Sequence, residues 1–268
     1  MCFRVDMNFR MGFLWLVVLA IMMPVFCSSC GRKLPKINRL SDLKGKTIAF
    51  QTGTVNDVLL LAAIRDAEFR HFDNIEIAIE DLRNGNIDAI VHKLPVLNLY
   101  QRNNKDLKIL SGMISNADYA FGVHAFNVLM KQRIDRTLEM LKRSGIFEDM
   151  TQRWFNDEGI LPDMPEFELD EINGVLRLGT SANLPPFSFI DYEGRYAGFD
   201  IELAHYVAQD LNMGLEIVNM RYVSLIPSII ANRVHKIGAA IVVDDENETN
   251  LRFSKPYLTS GIGVMVRN

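Results

Sequence analysis

The stretch Val175–Asp200 reads VLRLGTSANLPPFSFIDYEGRYAGFD. Val175-Leu176-Arg177-Leu178-Gly179 carries the pattern of a buried strand. A polar turn with Pro185-Pro186 follows, then a short aromatic strand, Phe187-Ser188-Phe189-Ile190. Asp191-Tyr192-Glu193-Gly194 reads as a hairpin turn, and Gly198-Phe199-Asp200 as the start of an amphipathic helix. A strand ending in a loop aimed at a helix start is how an open α/β sheet presents a ligand site.

The pattern repeats on both sides of this stretch. Downstream, spacing predicts a helix over Phe199–Leu211, a strand over Leu215–Asn219, a helix over Val223–Asn232 and strands over Ile237–Val243 and Gly261–Val266. Asp244–Glu248 is an acidic turn, with Asp244 placed to cap a short helix. Upstream, Lys46–Phe50 reads as a strand, Gln51–Thr54 as a turn and Val55–Ala67 as a helix. Ile75–Ile79 alternates like a strand, Leu82–Asn86 reads as a helix end, and Ile87–Val91 as a strand. A helix over Leu94–Arg102 and strands over Leu107–Leu110 and Tyr119–His124 come next. Helices Val128–Arg143 and Ile146–Phe155 are broken at Ser144-Gly145. Asn156–Asn173 has seven acids, no base and two prolines, the composition of a linker. Strands alternating with helices predict an α/β fold with doubly wound sheets.

Composition narrows the function classes. With 49% apolar and 23% charged residues, the chain is globular rather than disordered. A net charge of −4 offers no basic face for nucleic acid. Arg4 and Arg10 precede the apolar run Phe13–Phe26, which is short for a membrane span and suited to a signal-peptide core. Cys27-Ser28-Ser29-Cys30-Gly31 is similar to a bacterial lipoprotein cleavage site with Cys30 as the lipidated residue, although Cys27 stands where Leu is usual. An ordinary secretory signal cut nearby is the alternative. Residues 31–39 read as a short, solvated basic tether, and no cysteine follows Cys30. A disulfide framework, a thiol nucleophile and a cysteine metal site are therefore not expected there. The five histidines show no ligand spacing, and no phosphate loop or nucleophile elbow is present. No cofactor, metal or catalytic residue is expected.

Gly179-Thr180, Pro185-Pro186-Phe187 and Gly198-Phe199-Asp200-Ile201-Glu202-Leu203-Ala204 resemble the opening of the solute-binding proteins of bacterial ABC importers. The branch is the amino-acid-binding one (family 3, periplasmic-binding-protein type 2 fold). Here the match lies past the middle of the chain. Leu40–Lys46, Gln51–Thr54, Asn84–Ile90 and Lys142–Phe155 resemble that family's second lobe and C-terminal end. Phe253-Ser254-Lys255-Pro256-Tyr257 resembles the end of its first lobe. The resemblance implies two lobes, each a doubly wound mixed sheet, in circularly permuted order. The expected divisions are a lipoprotein signal peptide (1–30), a tether (31–39) and lobe 2 (40–118). A hinge strand with helices packing on lobe 1 (119–155), an acidic linker (156–174) and lobe 1 (175–268) follow. Tyr119–Ala125 is expected to be the sole covalent crossing between lobes. A truncated piece of a tandem array is the rival organisation.

The resemblance also implies a site. Family members clamp an amino acid between the lobes with an Arg on its carboxylate and an acid on its ammonium. Here the Arg position falls at Asn247 and the acid at Lys93. The aromatic position before the prolines is Leu184, and a frequently acidic or Ser position is Ser181. Gln51, Thr52, Gly53 and Thr54 are expected to form a backbone cradle, with Tyr222 and Val242 completing the ligand-binding set. Arg221 and Arg252 could replace the missing Arg. Lys93 in place of an acid predicts an anionic or uncharged ligand. The implied function is non-enzymatic: an envelope-anchored, monomeric periplasmic lipoprotein that passes a small solute to an ABC permease. A sensory or regulatory module of the same fold remains the alternative, and an enzyme resembling cyclohexadienyl dehydratase the third.

Overall fold

The first set of strands is built around β1 (Thr47–Gln51), which lies between β2 (Glu68–Phe72) and β3 (Ala89–Lys93), both parallel to it. β4 (Leu107–Ile109) and β5 (Ser115–His124) follow. These assignments come from a computed structural model that describes residues 36–54, 60, 62–243 and 250–268. The second set repeats the plan. β6 (Val175–Thr180) lies between β10 (Gly214–Asn219) and β11 (Lys236–Val242), again parallel. Between β6 and β10, the short strands β7 (Asn183–Leu184), β8 (Ser188–Ile190) and β9 (Tyr196–Ala197) form a small antiparallel sheet.

Two long strands join the sets. β5 starts beside β13 (Leu258–Arg267), pairing Ser115–Tyr119 with Leu258–Ile262, and then continues along β11 and β12 (Leu251–Phe253). β13 runs the other way. Its second half pairs antiparallel with β3 and β4. Each half therefore has three parallel strands in the order outer–first–third, closed by an antiparallel strand that arrives from the other half. The result is one continuous mixed sheet, and Lys36–Asn268 form one compact unit.

Helices cover the strands for identifiable reasons. In α1 (Ile75–Asn84) the buried residues are Ile75, Ala78, Ile79 and Leu82, an i, i+3, i+4, i+7 stripe. Asn74 caps it by accepting the Glu76 N–H at 2.8 Å, and Gly85 ends it at φ 77°. α2 (Leu94–Asn103) starts directly from β3 with a proline in its first turn. α3 (Val128–Ser144) and α4 (Ile146–Trp154) are separated by Gly145 at φ 80°. Both pack on α5 (Phe199–Asp210), whose first turns are wholly buried. α6 (Leu225–Ile230) follows a 3-10 turn at Tyr222–Ser224.

Glu202 locks α4 to α5. Its buried carboxylate accepts the Trp154 indole N–H at 2.6 Å and the Arg153 guanidinium at 2.7 Å. The acidic segment after α4 is anchored at its start and again past its middle. Arg102 of α2 donates to the Asn156 carbonyl and to Asp157 at 2.6 Å. Phe167 stacks on His205 of α5 with ring centroids 4.6 Å apart.

Several expectations change. Ile75–Ile79 is helix, not strand, because the Asn74 cap and the buried stripe, which includes Ala78, outweigh the alternation of Ile75, Ile77 and Ile79. The helix expected to reach Ala67 is over before the turn at Asp66 (φ 59°), and Glu68 already opens β2. β2 is not legible because Glu68, Arg70 and His71 break the alternation on an edge strand, although Phe69 and Phe72 pack against the core. The solvated tether ends earlier than residue 39: Ile37 is 3% exposed and belongs to the core. Tyr119–Ala125 is not the sole crossing, since β13 also passes between the halves. Residues 258–268 therefore lie largely in the sheet assigned to 40–118. The signal segment, Cys30, the first residues of the Val55 helix and the Asp244 turn lie outside the described residues.

Candidate functional site

β1 and β3 run parallel and end together, so Gln51 and Lys93 reach the seam between the halves from adjacent strands. Gln51 is buried, with its side-chain oxygen 3.2 Å from His92 Nε2. Lys93 is 1% exposed, stands opposite Ile262 of the crossing strand β13, and caps α2. Its Nζ has no hydrogen-bond partner among the described residues. It sits 4.7 Å from the centroid of the Tyr222 ring, which belongs to the other half.

The surrounding groups are as unusual. Asp200, in the first turn of α5, is fully buried. Its Oδ2 accepts the Ala240 N–H at 2.6 Å. That N–H is available because β11 breaks register between Ile237 and Ile241, and Ala240 adopts a left-handed backbone at φ 48°. The neighbouring Tyr257 hydroxyl faces Asp200 and helps to hold its carboxyl down, although among the described residues neither that hydroxyl nor the other Asp200 oxygen makes a hydrogen bond of full geometry. Lys236 is a second buried ammonium without a hydrogen-bond partner among the described residues, 3.8 Å over the Phe121 ring. Burial pushes both Lys93 and Lys236 down to about 7, with Asp200 opposing the shift. Burial raises Asp200 to about 6, against the Ala240 hydrogen bond and the two ammonium groups. His92 is held well below its ordinary value by burial and then by Lys93. Burial, followed by the Asp200 carboxylate, raises the Tyr222 and Tyr257 hydroxyls.

The expected ligand set is only partly assembled. Lys93, Tyr222, Gln51 and Gly53 meet at the seam, where a Cβ on Gly53 would lie 3.7 Å from the Tyr222 ring. The cradle is not free. Thr52 N–H donates to Phe72 O, and both the N–H and the hydroxyl of Thr54 donate to Gln51 O. The turn closes on itself, so these donors are spent. Ser181 donates its hydroxyl to Asn183 at 3.0 Å. Leu184 is fully buried and packs as core rather than facing a ligand. Val242 is half-buried and pairs with Tyr119 on β5. Arg252 donates to the Ala125 carbonyl and stands away from the seam. Arg221 lies at the seam, bound to Asp73 at 2.7 Å. Asn247 lies outside the described residues.

Sequence reasoning missed Asp73, Asn183, Asp200 and Tyr257. Asp73 binds two residues of the opposite half, accepting Arg221 at its carboxylate and the Asn183 amide at its carbonyl, 2.6 Å. Nothing local marks it beyond its place before a helix cap. A cavity of about 460 Å³ opens at one edge of the seam between Asn74, Tyr100, Asp163, Asn183 and Tyr192. A second, of about 190 Å³, lies between Arg102, Phe155, Pro186 and Ser260. Lys93 and Tyr222 line neither. Among the described residues, no cluster of His, Cys, Asp and Glu could hold a metal, and no helix is long and apolar enough to cross a membrane.

Known proteins resemble part of the chain. Residues 176–268 match the bacterial extracellular solute-binding proteins, family 3. The L-cystine-binding protein TcyJ of Escherichia coli (strain K12) is 29% identical over 118 residues, 44% of this chain and 42% of that protein. Cyclohexadienyl dehydratase of Pseudomonas aeruginosa is 35% identical over 98 residues, 36% of this chain and 37% of that enzyme. The chain thus spans about two fifths of the length of these relatives. The arginine-bound form of domain 1 from TmArgBP is 33% identical over 36% of this chain and 82% of that one, with a TM-score of 0.32. Over residues 176–268 the chain carries the sequence of the bacterial extracellular solute-binding proteins, family 3.

Proposed function

We propose that this protein is an extracytoplasmic solute-binding protein that captures a small polar solute between its two halves and presents it to an ABC importer. The observation that carries this reading is the pair of antiparallel crossing strands, β5 and β13. They are the only strands shared by both halves among the described residues. Two half-sheets joined by such a pair can rotate against each other with small backbone changes and close on a ligand. Contacts of a closed form support it: Asp73 with Arg221 and Asn183, and Lys93 under Tyr222. The L-cystine-binding relative favours a solute-binding role over an enzymatic one. The dehydratase relative names the chief enzymatic alternative.

In this reading the two halves occur in swapped order, 40–155 before 175–268, joined by the acidic segment. Each half of the fold is used once. Lys108 of β4 pairs with Val266 of β13 and also binds Asn38 at 2.7 Å, so the outer ends of the two segments meet on one strand. The N-terminal segment would tether the protein to the envelope membrane through Cys30.

The test is ligand discovery with the full chain. Native mass spectrometry of the purified protein and melting shifts against amino acids, organic acids and small anions should identify a bound solute. Small-angle scattering should then show a change in the separation of the two halves on binding. Turnover of prephenate or arogenate would instead establish the enzyme.

A further inference from the structure

We propose that the Lys93 ammonium anchors the anionic group of the solute, and that the solute is a small carboxylate lacking a free α-ammonium group. This deepens the solute-binding reading and rests on it. Lys93 is 1% exposed, and its Nζ has no hydrogen-bond partner among the described residues. A buried ammonium left unpaired is costly, and native structures rarely keep one without a reason. The aromatic face of Tyr222 lies 4.7 Å away and packs over it. That ring comes from the opposite half, so opening the seam removes the ring and bares the ammonium. An entering carboxylate would take the place on Lys93 that the ring face covers in the closed form.

Among the described residues, no protein carboxylate fills this role. Asp200 lies near enough to feel both lysines but forms no ion pair with either, and its Oδ2 is bound to Ala240 N–H. His92, the neighbour of Lys93 on β3, is held neutral by burial. Gln51 is engaged with His92. Among the described residues, the buried lysine and carboxylate groups at this centre are Lys93, Lys236 and Asp200. A monocarboxylate beside Lys93 would hold it in its charged form and pair with it. An α-amino acid would bring its own ammonium toward Lys93, which opposes binding.

The test compares matched probes on the full chain by calorimetry: free L-amino acids, their N-acetyl derivatives and the corresponding 2-oxo acids. The expected result is binding of one or more N-acetyl or 2-oxo acids and none by the free amino acids. Lys93→Met should weaken that binding about 100-fold or more while leaving a cooperative melt at an equal or higher temperature. Tyr222→Phe, which keeps the ring, should leave it within about threefold. Binding of free amino acids by the wild type, or unchanged affinity in Lys93→Met, overturns the proposal and leaves the solute-binding reading standing. If no probe binds and native mass spectrometry finds no bound solute, both are overturned.

Discussion

The Arg221 guanidinium donates to the Asp73 carboxylate at 2.7 Å, and the two residues stand on opposite halves of the sheet. Arg221 follows β10 and Asp73 follows β2, so the pair bridges the seam at the ends of equivalent outer strands. Both side chains are more than half exposed. Such a pair contributes little to folding, under about 1 kcal/mol. Its effect falls on the balance between open and closed halves. Asp73→Ala should leave the urea midpoint nearly unchanged while speeding amide exchange around Asn183 and Tyr222. Unaltered exchange there would remove the latch from the account.

The buried lysines make stability depend on pH in a defined window. Lys93 and Lys236 titrate at about 7 in the fold, against an ordinary 10.5. Between those values the unfolded chain binds more protons, so stability must rise with pH from 7 toward 10.5. Below 7 both states are protonated and the full burial penalty is present. Asp200, raised to about 6 from 3.8, acts lower, where stability falls as pH rises. Urea titrations of the unliganded protein between pH 7 and about pH 9 should show this rise. Lys93→Met should reduce the slope, and a slope equal to wild type would mean that Lys93 is solvated.

Gly198 has no substitute at its position. Its φ is 128°, and a Cβ would run into the carbonyl of Phe187, which accepts the Asp200 N–H. The whole start of α5 depends on this approach. Gly198→Ala should cost about 3 kcal/mol in chemical denaturation. A loss below about 0.5 kcal/mol would indicate that the loop relaxes freely.

Glu202 is a folding determinant rather than a ligand group. With its carboxylate gone, the Trp154 indole and part of Arg153 lose their buried acceptor. Glu202→Ala should destabilise by about 3–5 kcal/mol and shift the Trp154 fluorescence toward that of exposed indole. Retention of both stability and spectrum would refute the lock between α4 and α5.

The proposed swapped order can be tested by undoing it. A chain reading 175–268 followed directly by 40–155, with the acidic segment deleted, should fold to a monomer with the same far-UV spectrum. It should bind the same solute as the original chain. Aggregation of the reordered chain alone, with the original soluble, would mean that the acidic segment is required. Its contacts with Arg102 and His205 would then be needed for folding.

Local rules carried much of the fold. β6, the hairpin turn at Asp191–Gly194 and the helix beginning at Phe199 all lie where the stretch Val175–Asp200 placed them. Apolar spacing, Gly at positive φ and turn chemistry suffice there, because each acts within a few residues. The same rules failed at Ile75–Ile79, where an alternating Ile pattern masked a helix fixed by its Asn74 cap. They also missed β2, an edge strand in which Arg70 and His71 separate the two core-packing residues Phe69 and Phe72. Within the candidate site, Lys93 and Tyr222 were legible as positions. Their meeting was not, nor was the spending of the Thr52 and Thr54 donors inside their own turn.

The sequence alone determined the alternation of strands and helices, the family likeness of 176–268, the acidic segment between the halves and the substitution of Lys at position 93. Tertiary structure decided that β13 crosses back into the first half, that Asp73 bridges to Arg221, and that Lys93 is buried without a hydrogen-bond partner. The reason is distance along the chain. Asp73 and Arg221 are 148 residues apart, and no local pattern reports which remote residue will face a given side chain. Burial and charge balance at the seam exist only once both crossing strands have paired, so they follow from the assembled sheet and not from any one stretch of it.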